Sequence, residues 1–186
     1  SDVVGGVMET RVKNSNPTSQ AIKQVLANKF GVGNAMFRIG VNEPTLVDTV
    51  PFGLYKTSLL KSVGGYDEKL IRNHDIELSK RILKLGTKIY LVPTTKCYYY
   101  ARETYKGLSQ NNYRNGKWNL LTVFITKDFT SLSVRHFVPL VFVLSLLIPL
   151  VVSIIFLPFA YFSLAILLLY FFTIGLIVLK TFDLSK

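Results

Sequence analysis

Hydrophobic and polar positions divide this sequence into a patterned stretch and a long apolar one. Asp2 to Thr10 is rich in β-branched residues around Gly5-Gly6, which predicts a strand whose backbone approaches a neighbour closely at the glycines. Asn16-Pro17 pairs a capping residue with a first-turn proline, and Ala21, Ile22, Val25 and Leu26 follow at helical spacing, predicting a helix over 17–29. Phe30 to Pro44 holds Gly31, Gly33 and Gly40 without periodicity and reads as a loop. A strand is expected over 45–50, then a short helix over 56–63 that stops at Gly64-Gly65. A helix over 73–85 ends at Gly86, with Leu78, Ile82 and Leu85 on one face. Strands follow over 88–92, closed by Pro93, and over 95–100. A last helix, 104–125, is expected to be interrupted near Asn115-Gly116. Strands alternating with helices define an α/β domain.

The apolar stretch is of another kind. From Phe137 to Leu179, 43 residues carry no Asp, Glu, Lys, Arg or His. One membrane span needs about 20 apolar residues, so the run reads as two spans, near 137–157 and 160–180, with a turn at Pro158. Pro139 and Pro149 fall inside the first, where a kink can be accommodated. Lys127, Arg135 and His136 precede the run, and Lys180 and Lys186 follow it. The positive-inside rule then puts both ends in the cytoplasm. The organisation expected is an α/β part over 1–126, a juxtamembrane linker over 127–136, two transmembrane helices within 137–180, and a cytoplasmic tail over 181–186.

Composition sharpens this picture. Of the 186 residues 49% are hydrophobic, and the mean hydropathy of +0.34 is unusual for a soluble domain. One cysteine, Cys97, excludes an internal disulfide, and two distant histidines make a zinc cluster of His/Cys type implausible. Residues 1–136 hold 20 Lys and Arg against 10 Asp and Glu, a net charge of +10. That charge suits a solvated basic face beside a membrane, anionic headgroups, or a phosphate-bearing substrate; no nucleic-acid motif accompanies it. The first residue is Ser1, with no signal sequence behind it, and the chain is expected to be part of a longer polypeptide.

Three groups could carry chemistry. Asp75 and Glu77 lie in Arg72-Asn73-His74-Asp75-Ile76-Glu77-Leu78 at a helix start. Acidic residues there complement the helix dipole, with Asn73 as the cap; alternatively a carboxylate at a loop-to-helix junction faces a cleft as a general base. Gln110, Tyr113, Arg114, Gly116 and Trp118 could contact a diphosphate and stack on a base or sugar. They equally suit an amphipathic helix beside the membrane, with Trp118 at the interface and Arg114 and Lys117 on lipid phosphates. Asp48-Thr49-Val50-Pro51-Phe52-Gly53 ends at a glycine with no side chain to block a ligand. No Walker loop, Gly-x-Ser-x-Gly elbow or Asp-x-Asp pair is present.

In order, Asp2-Val3-Val4-Gly5-Gly6-Val7-Met8, Val47 to Tyr55, Gly65-Tyr66-Asp67-Glu68, Arg72 to Leu78 with Arg81 and Gly86, Lys88-Ile89-Tyr90, Pro93, Tyr100, Arg102, Gln110, Gly116, Trp118 and Ser133-Val134-Arg135-His136 resemble the C-terminal half of a bacterial family 2 glycosyltransferase of the exopolysaccharide, succinoglycan-biosynthesis type. The resemblance covers about residues 1–136, and the apolar hairpin suits it.

The resemblance implies an α/β fold that is part of a GT-A (Rossmann-like) domain lacking its N-terminal nucleotide-binding half. It implies an inverting transfer of a sugar from a nucleotide-sugar donor to an acceptor hydroxyl, lipid-linked acceptors included, in cell-surface glycan synthesis. Asp75 stands where the family's general base stands. Asp48, Phe52, Gly53, His74, Gln110, Arg114 and Trp118 fall at donor- or acceptor-binding positions. The divalent metal expected in the complete enzyme, Mg or Mn, is held in the family by an Asp-x-Asp motif that this sequence lacks, so no residue here is assigned to it. This chain alone is expected to be inactive. The implied location is a bacterial inner or plasma membrane, with the catalytic part in the cytoplasm. Two departures stand out: His74 occupies the place of a Glu common before the base, and the Gln-x-x-Arg-Trp motif of processive synthases is broken up across Gln110 to Trp118. The alternative reading is a membrane-anchored scaffold or accessory subunit without enzymatic activity, and no ionisable residue in either span marks a transport pathway.

Overall fold

A computed structural model describes residues 2–183 and divides them into two units, residues 2–136 and residues 137–183. The first is mixed α/β. Strand β1 (Val3–Arg11) leads into helix α1 (Pro17–Ala27), and two one-turn helices, α2 (Lys29–Val32) and α3 (Met36–Ile39), occupy the stretch expected to be a loop. Strands β2 (Thr45–Leu46) and β3 (Leu54–Tyr55) are two residues each. Helix α4 (Thr57–Ser62), helix α5 (His74–Lys84), strand β4 (Ile89–Tyr100) and helix α6 (Tyr105–Thr126) complete the unit.

Local chemistry explains the helix starts. The Asn16 side chain accepts from the Ser19 backbone N–H at 2.9 Å, and the Asn16 backbone N–H donates to the Ser19 hydroxyl at 3.0 Å. This reciprocal pair, with Pro17 in the first turn, fixes the start of α1. Gly64, Gly65 and Gly86 have positive φ after α4 and α5, the left-handed geometry that ends helices on glycine.

The sheet runs β2-β4-β1-β3. Strands β1 and β4 pair in parallel over nearly their full length, and the two short strands pair antiparallel on either side. The two strands expected on either side of Pro93 are one. The register slips between Gly6↔Val92 and Val7↔Lys96, so Pro93, Thr94 and Thr95 form a bulge. A bulge needs no ladder donor, which is why proline is tolerated there. Gly6 lies under that bulge, where an added Cβ would stand 2.6 Å from the Thr95 carbonyl oxygen.

Val3, Val50, Leu78, Ile82, Ile89 and Leu91 make the core, between α5 and the sheet. Leu85, expected on that face, is 61% exposed, because the helix has already ended at Lys84. Helix α6 is continuous, with no break at Asn115-Gly116.

The second unit holds α7 (Val138–Val152) and α8 (Pro158–Asp183). Within it the Phe142 and Tyr170 rings lie 4.7 Å apart, and the Ser163 hydroxyl donates to the Leu146 carbonyl at 3.0 Å. Pro158–Lys180 is the one described helix long and apolar enough to cross a membrane. The first of the two expected spans differs: α7 is 15 residues, about 22 Å at 1.5 Å per residue, because the chain leaves the helix at Ser153, before the expected turn. Of the expected tail 181–186, residues 181–183 continue α8, and residues 184–186 lie outside the described residues.

Candidate functional site

The start of α5 is the focus. Asn73 has φ +63°, and its side chain does not cap the helix, contrary to expectation. Its amide instead donates to Asn119 Oδ1 at 3.0 Å and to Thr122 Oγ1 at 3.2 Å on α6. Next to it, Arg72 Nη1 donates to Asn115 Oδ1 at 2.6 Å and to Asn111 Oδ1 at 3.3 Å. Asn111, Asn115 and Asn119 are spaced four apart, so they line one face of α6. This asparagine ladder holds the two residues that deliver His74 and Asp75. It went unread in the sequence, where only the i, i+4, i+8 spacing of three asparagines hinted at it.

The two carboxylates of the helix start have different surroundings. Glu77 is buried and takes both Arg81 Nε at 2.6 Å and Nη2 at 2.7 Å. Arg81 also donates to the carbonyls of Val63 and Gly65, tying α5 to the end of α4. Asp75 is half-buried, and among the described residues no cation pairs with it; its Oδ1 accepts from the Ile76 N–H at 2.9 Å. The neighbouring groups are aromatic. The Tyr55 hydroxyl is shut off from solvent and, among the described residues, makes no hydrogen bond of ordinary geometry. Burial first, then Tyr66 and the charge of Asp75, push its pKa well up, so it stays protonated. His74 is exposed and meets the Tyr66 ring edge-on, centroids 5.4 Å apart. Tyr55 and Tyr66 are the residues that sequence reasoning did not single out. Tyr55 closes the Asp48-to-Gly53 segment, and Tyr66 stands in the turn that Arg81 grips.

The other candidates fall in three places. Phe52 has φ +50° and is 87% exposed. At Gly53 the space a side chain would need is filled by Val50 Cγ2 at 2.9 Å and by the Tyr55 ring at 3.0 Å, so the protein's own packing requires the glycine there. Asp48 is engaged by the protein: Arg135 Nη1 lies 2.8 Å away, Lys80 Nζ 3.6 Å away, and the Ser133 hydroxyl donates to it. Burial raises its pKa, but Ser133, Arg135 and Lys80 outweigh that and hold the carboxyl below its usual range. Gln110 and Arg114 are exposed on α6, with Trp118 half-buried one turn further on. The Asn73 and Arg72 contacts bring α6 against the approach to Asp75. The residues at hand do not fit a metal: among the described residues no three His, Cys, Asp or Glu side chains converge.

One comparison with known proteins bears on this. The succinoglycan biosynthesis protein ExoA of Rhizobium meliloti (strain 1021) is 41% identical over 49 residues, which are 26% of this chain and 15% of that protein. The match spans a small part of both chains. No family model matches the sequence, and no solved structure matches it.

Proposed function

We propose that this chain is the acceptor-and-base part of a membrane-bound inverting glycosyltransferase of exopolysaccharide or cell-surface glycan synthesis. Asp75 takes the proton of an acceptor hydroxyl as that oxygen attacks the anomeric carbon of a nucleotide-sugar. The bond from that carbon to the diphosphate breaks on the opposite face, the nucleoside diphosphate departs with the electron pair, and the configuration inverts. The observation that carries this reading is the division of labour at the start of α5. Glu77 is consumed by Arg81, whereas among the described residues Asp75 is left without a cation, and its charge reaches the buried Tyr55 hydroxyl. The resemblance set out above and the local identity to a succinoglycan biosynthesis protein supply the reaction class.

In this reading His74, Phe52 and Gly53 border the acceptor side, and Gln110, Arg114 and Trp118 meet the diphosphate and sugar from α6. Asp48 acts through the Arg135 cluster that it organises. The α8 helix supports a membrane location, and the cations before the apolar run favour the cytoplasmic side for the catalytic part. In this reading the donor half and the Mg or Mn ligands are not supplied by these residues, which hold no Asp-x-Asp.

The test uses the native enzyme in membranes, supplied with radiolabelled nucleotide-sugars and membrane lipid extract. Asp75→Asn is expected to lower sugar transfer about 10²-fold or more while the protein accumulates normally. Transfer near the wild-type rate would remove Asp75 as the base.

A further inference from the structure

Two arginines converge on one tyrosine where α3 meets β1 and β4. Thr10 and Tyr99 are register partners on those strands, so their side chains share a face. The Arg38 guanidinium of α3 lies over the Tyr99 ring, 4.5 Å from its centroid. Arg102 Nη1 donates to the Tyr99 hydroxyl at 2.8 Å. Accepting that bond leaves the hydroxyl its own proton to donate. Arg38, Arg102 and the phenol are therefore three donors around one point.

No acceptor answers them. Arg38 Nη1 and Thr10 Oγ1 are closed off from solvent and, among the described residues, make no hydrogen bond of ordinary geometry. Thr10 as a whole is only 4% exposed. Folded proteins leave few such groups, because each costs the free energy of its lost hydration. Burial also pulls the Arg38 pKa below its ordinary value, with Tyr99 and Cys97 only partly opposing it, so the cation lacks compensation. Among the described residues no carboxylate pairs with Arg38 or Arg102. The acids that flank the cluster in sequence are occupied. Glu9 takes Arg11 Nε at 3.0 Å, and Glu103 accepts from the backbone N–H groups of Lys13 and Asn14.

Two arginines without counter-charge match a dianion, which neither a single carboxylate nor a phosphate diester supplies. A phosphate monoester carries close to two charges at neutral pH and offers three acceptor oxygens, and arginine binds it through paired N–H donors. We propose that Arg38, Arg102 and the Tyr99 hydroxyl, with Thr10 beside them, bind a dianionic phosphate group, either orthophosphate or a phosphate monoester. None of these residues belongs to the site around Asp75 or to the Gln110–Trp118 group. The site stands whether or not Asp75 is a base, because binding is read without any sugar transfer.

The test is equilibrium dialysis of the full chain, in uncharged detergent micelles, against radiolabelled orthophosphate at constant ionic strength. Saturable binding is expected, displaced by sulfate and not by chloride. Arg102→Gln and Tyr99→Phe are each expected to weaken it about tenfold, and Arg38→Met to abolish it. Lys61→Gln, an exposed cation on α4, is expected to bind as wild type. Competition then separates the sources of the group. Displacement by glycerol phosphate but not by nanodiscs holding phosphatidic acid assigns a soluble ligand; displacement by those nanodiscs, and not by nanodiscs of phosphatidylcholine alone, assigns a lipid monoester. Uptake that does not saturate, displacement by chloride, or equal weakening by Lys61→Gln would overturn the proposal, since each marks diffuse attraction to a basic surface. Wild-type binding by both Arg102→Gln and Tyr99→Phe would overturn it as well.

Discussion

The side-chain amide of Asn73 donates to the hydroxyl of Thr122 at 3.2 Å, across 49 positions of sequence. Thr122 is fully buried, and its hydroxyl donates in turn to the Trp118 carbonyl at 2.6 Å. The left-handed residue two places before Asp75 is therefore fixed by a helix far along the chain. Asn73→Ala loses both amide bonds and puts a Cβ-bearing residue without local hydrogen bonding at φ +63°. A loss of about 2–3 kcal/mol is expected in thermal unfolding of the chain in detergent micelles. Asn73→Gly keeps the backbone unstrained and is expected to lose about 1 kcal/mol less. Equal losses for the two would mean that the backbone geometry contributes nothing.

Glu77 and Arg81 make the second prediction. The Glu77 side chain is only 7% exposed, and its charge is compensated by the two-pronged Arg81 contact. Removing the cation leaves a buried carboxylate alone, so Arg81→Met is expected to destabilise by about 3–5 kcal/mol. Replacing both partners with Met removes that uncompensated charge, and the double variant is expected to unfold at a higher temperature than Arg81→Met. A double variant less stable than the single one would sink this account.

Glycines supply a matched pair. A Cβ at Gly5 would stand 2.3 Å from Cβ of the fully buried Val50, with no flexible side-chain end to yield. Gly5→Ala is expected to cost about 3 kcal/mol or more by overpacking. At Gly116, inside α6, a Cβ meets nothing within 4 Å. Gly116→Ala is expected to stabilise by about 0.5–1 kcal/mol through helix propensity. Chemical denaturation of both variants checks the pair, and a costly Gly116→Ala would show cover on α6 that the exposed face does not display.

What could be read in the sequence was local. The Asn16 cap, Pro17, the glycines after α4 and α5, and the Leu78-Ile82 spacing each act within one helical turn, and the elements they predict stand where they were expected. What went unread depends on partners far along the chain. Pro93 signals a strand end until β1 is known to slip register opposite it. Asn73 signals a cap until α6 claims its amide. Asn115-Gly116 signals a break until Arg72 is seen to bond Asn115. At the candidate site the same division holds. Asp75 and Glu77 stood together in sequence, and only the Arg81 contact and the Tyr55 hydroxyl tell them apart.

The last prediction concerns acid. Asp128 accepts from Lys84 and, at 2.7 Å each, from the Thr130 backbone N–H and hydroxyl. The Lys84 bond is the largest influence, followed by Thr130, and together they hold the carboxyl at about 2. Asp48 shifts in the same direction. In the unfolded chain an Asp titrates near about 3.9. A folded value below the unfolded one means the folded state binds the proton less well. The stability it contributes is complete above about 3.9 and is lost as pH falls toward about 2. Unfolding temperature should therefore be level above that range and decline within it. Asp128→Asn keeps the acceptor for Thr130 but removes the charge, so its curve should lie below wild type near neutral pH and converge with it as the acid limb descends. Curves that stay parallel down the whole limb would show that Asp128 is not held ionised by Lys84, and that the acid sensitivity of this domain arises elsewhere.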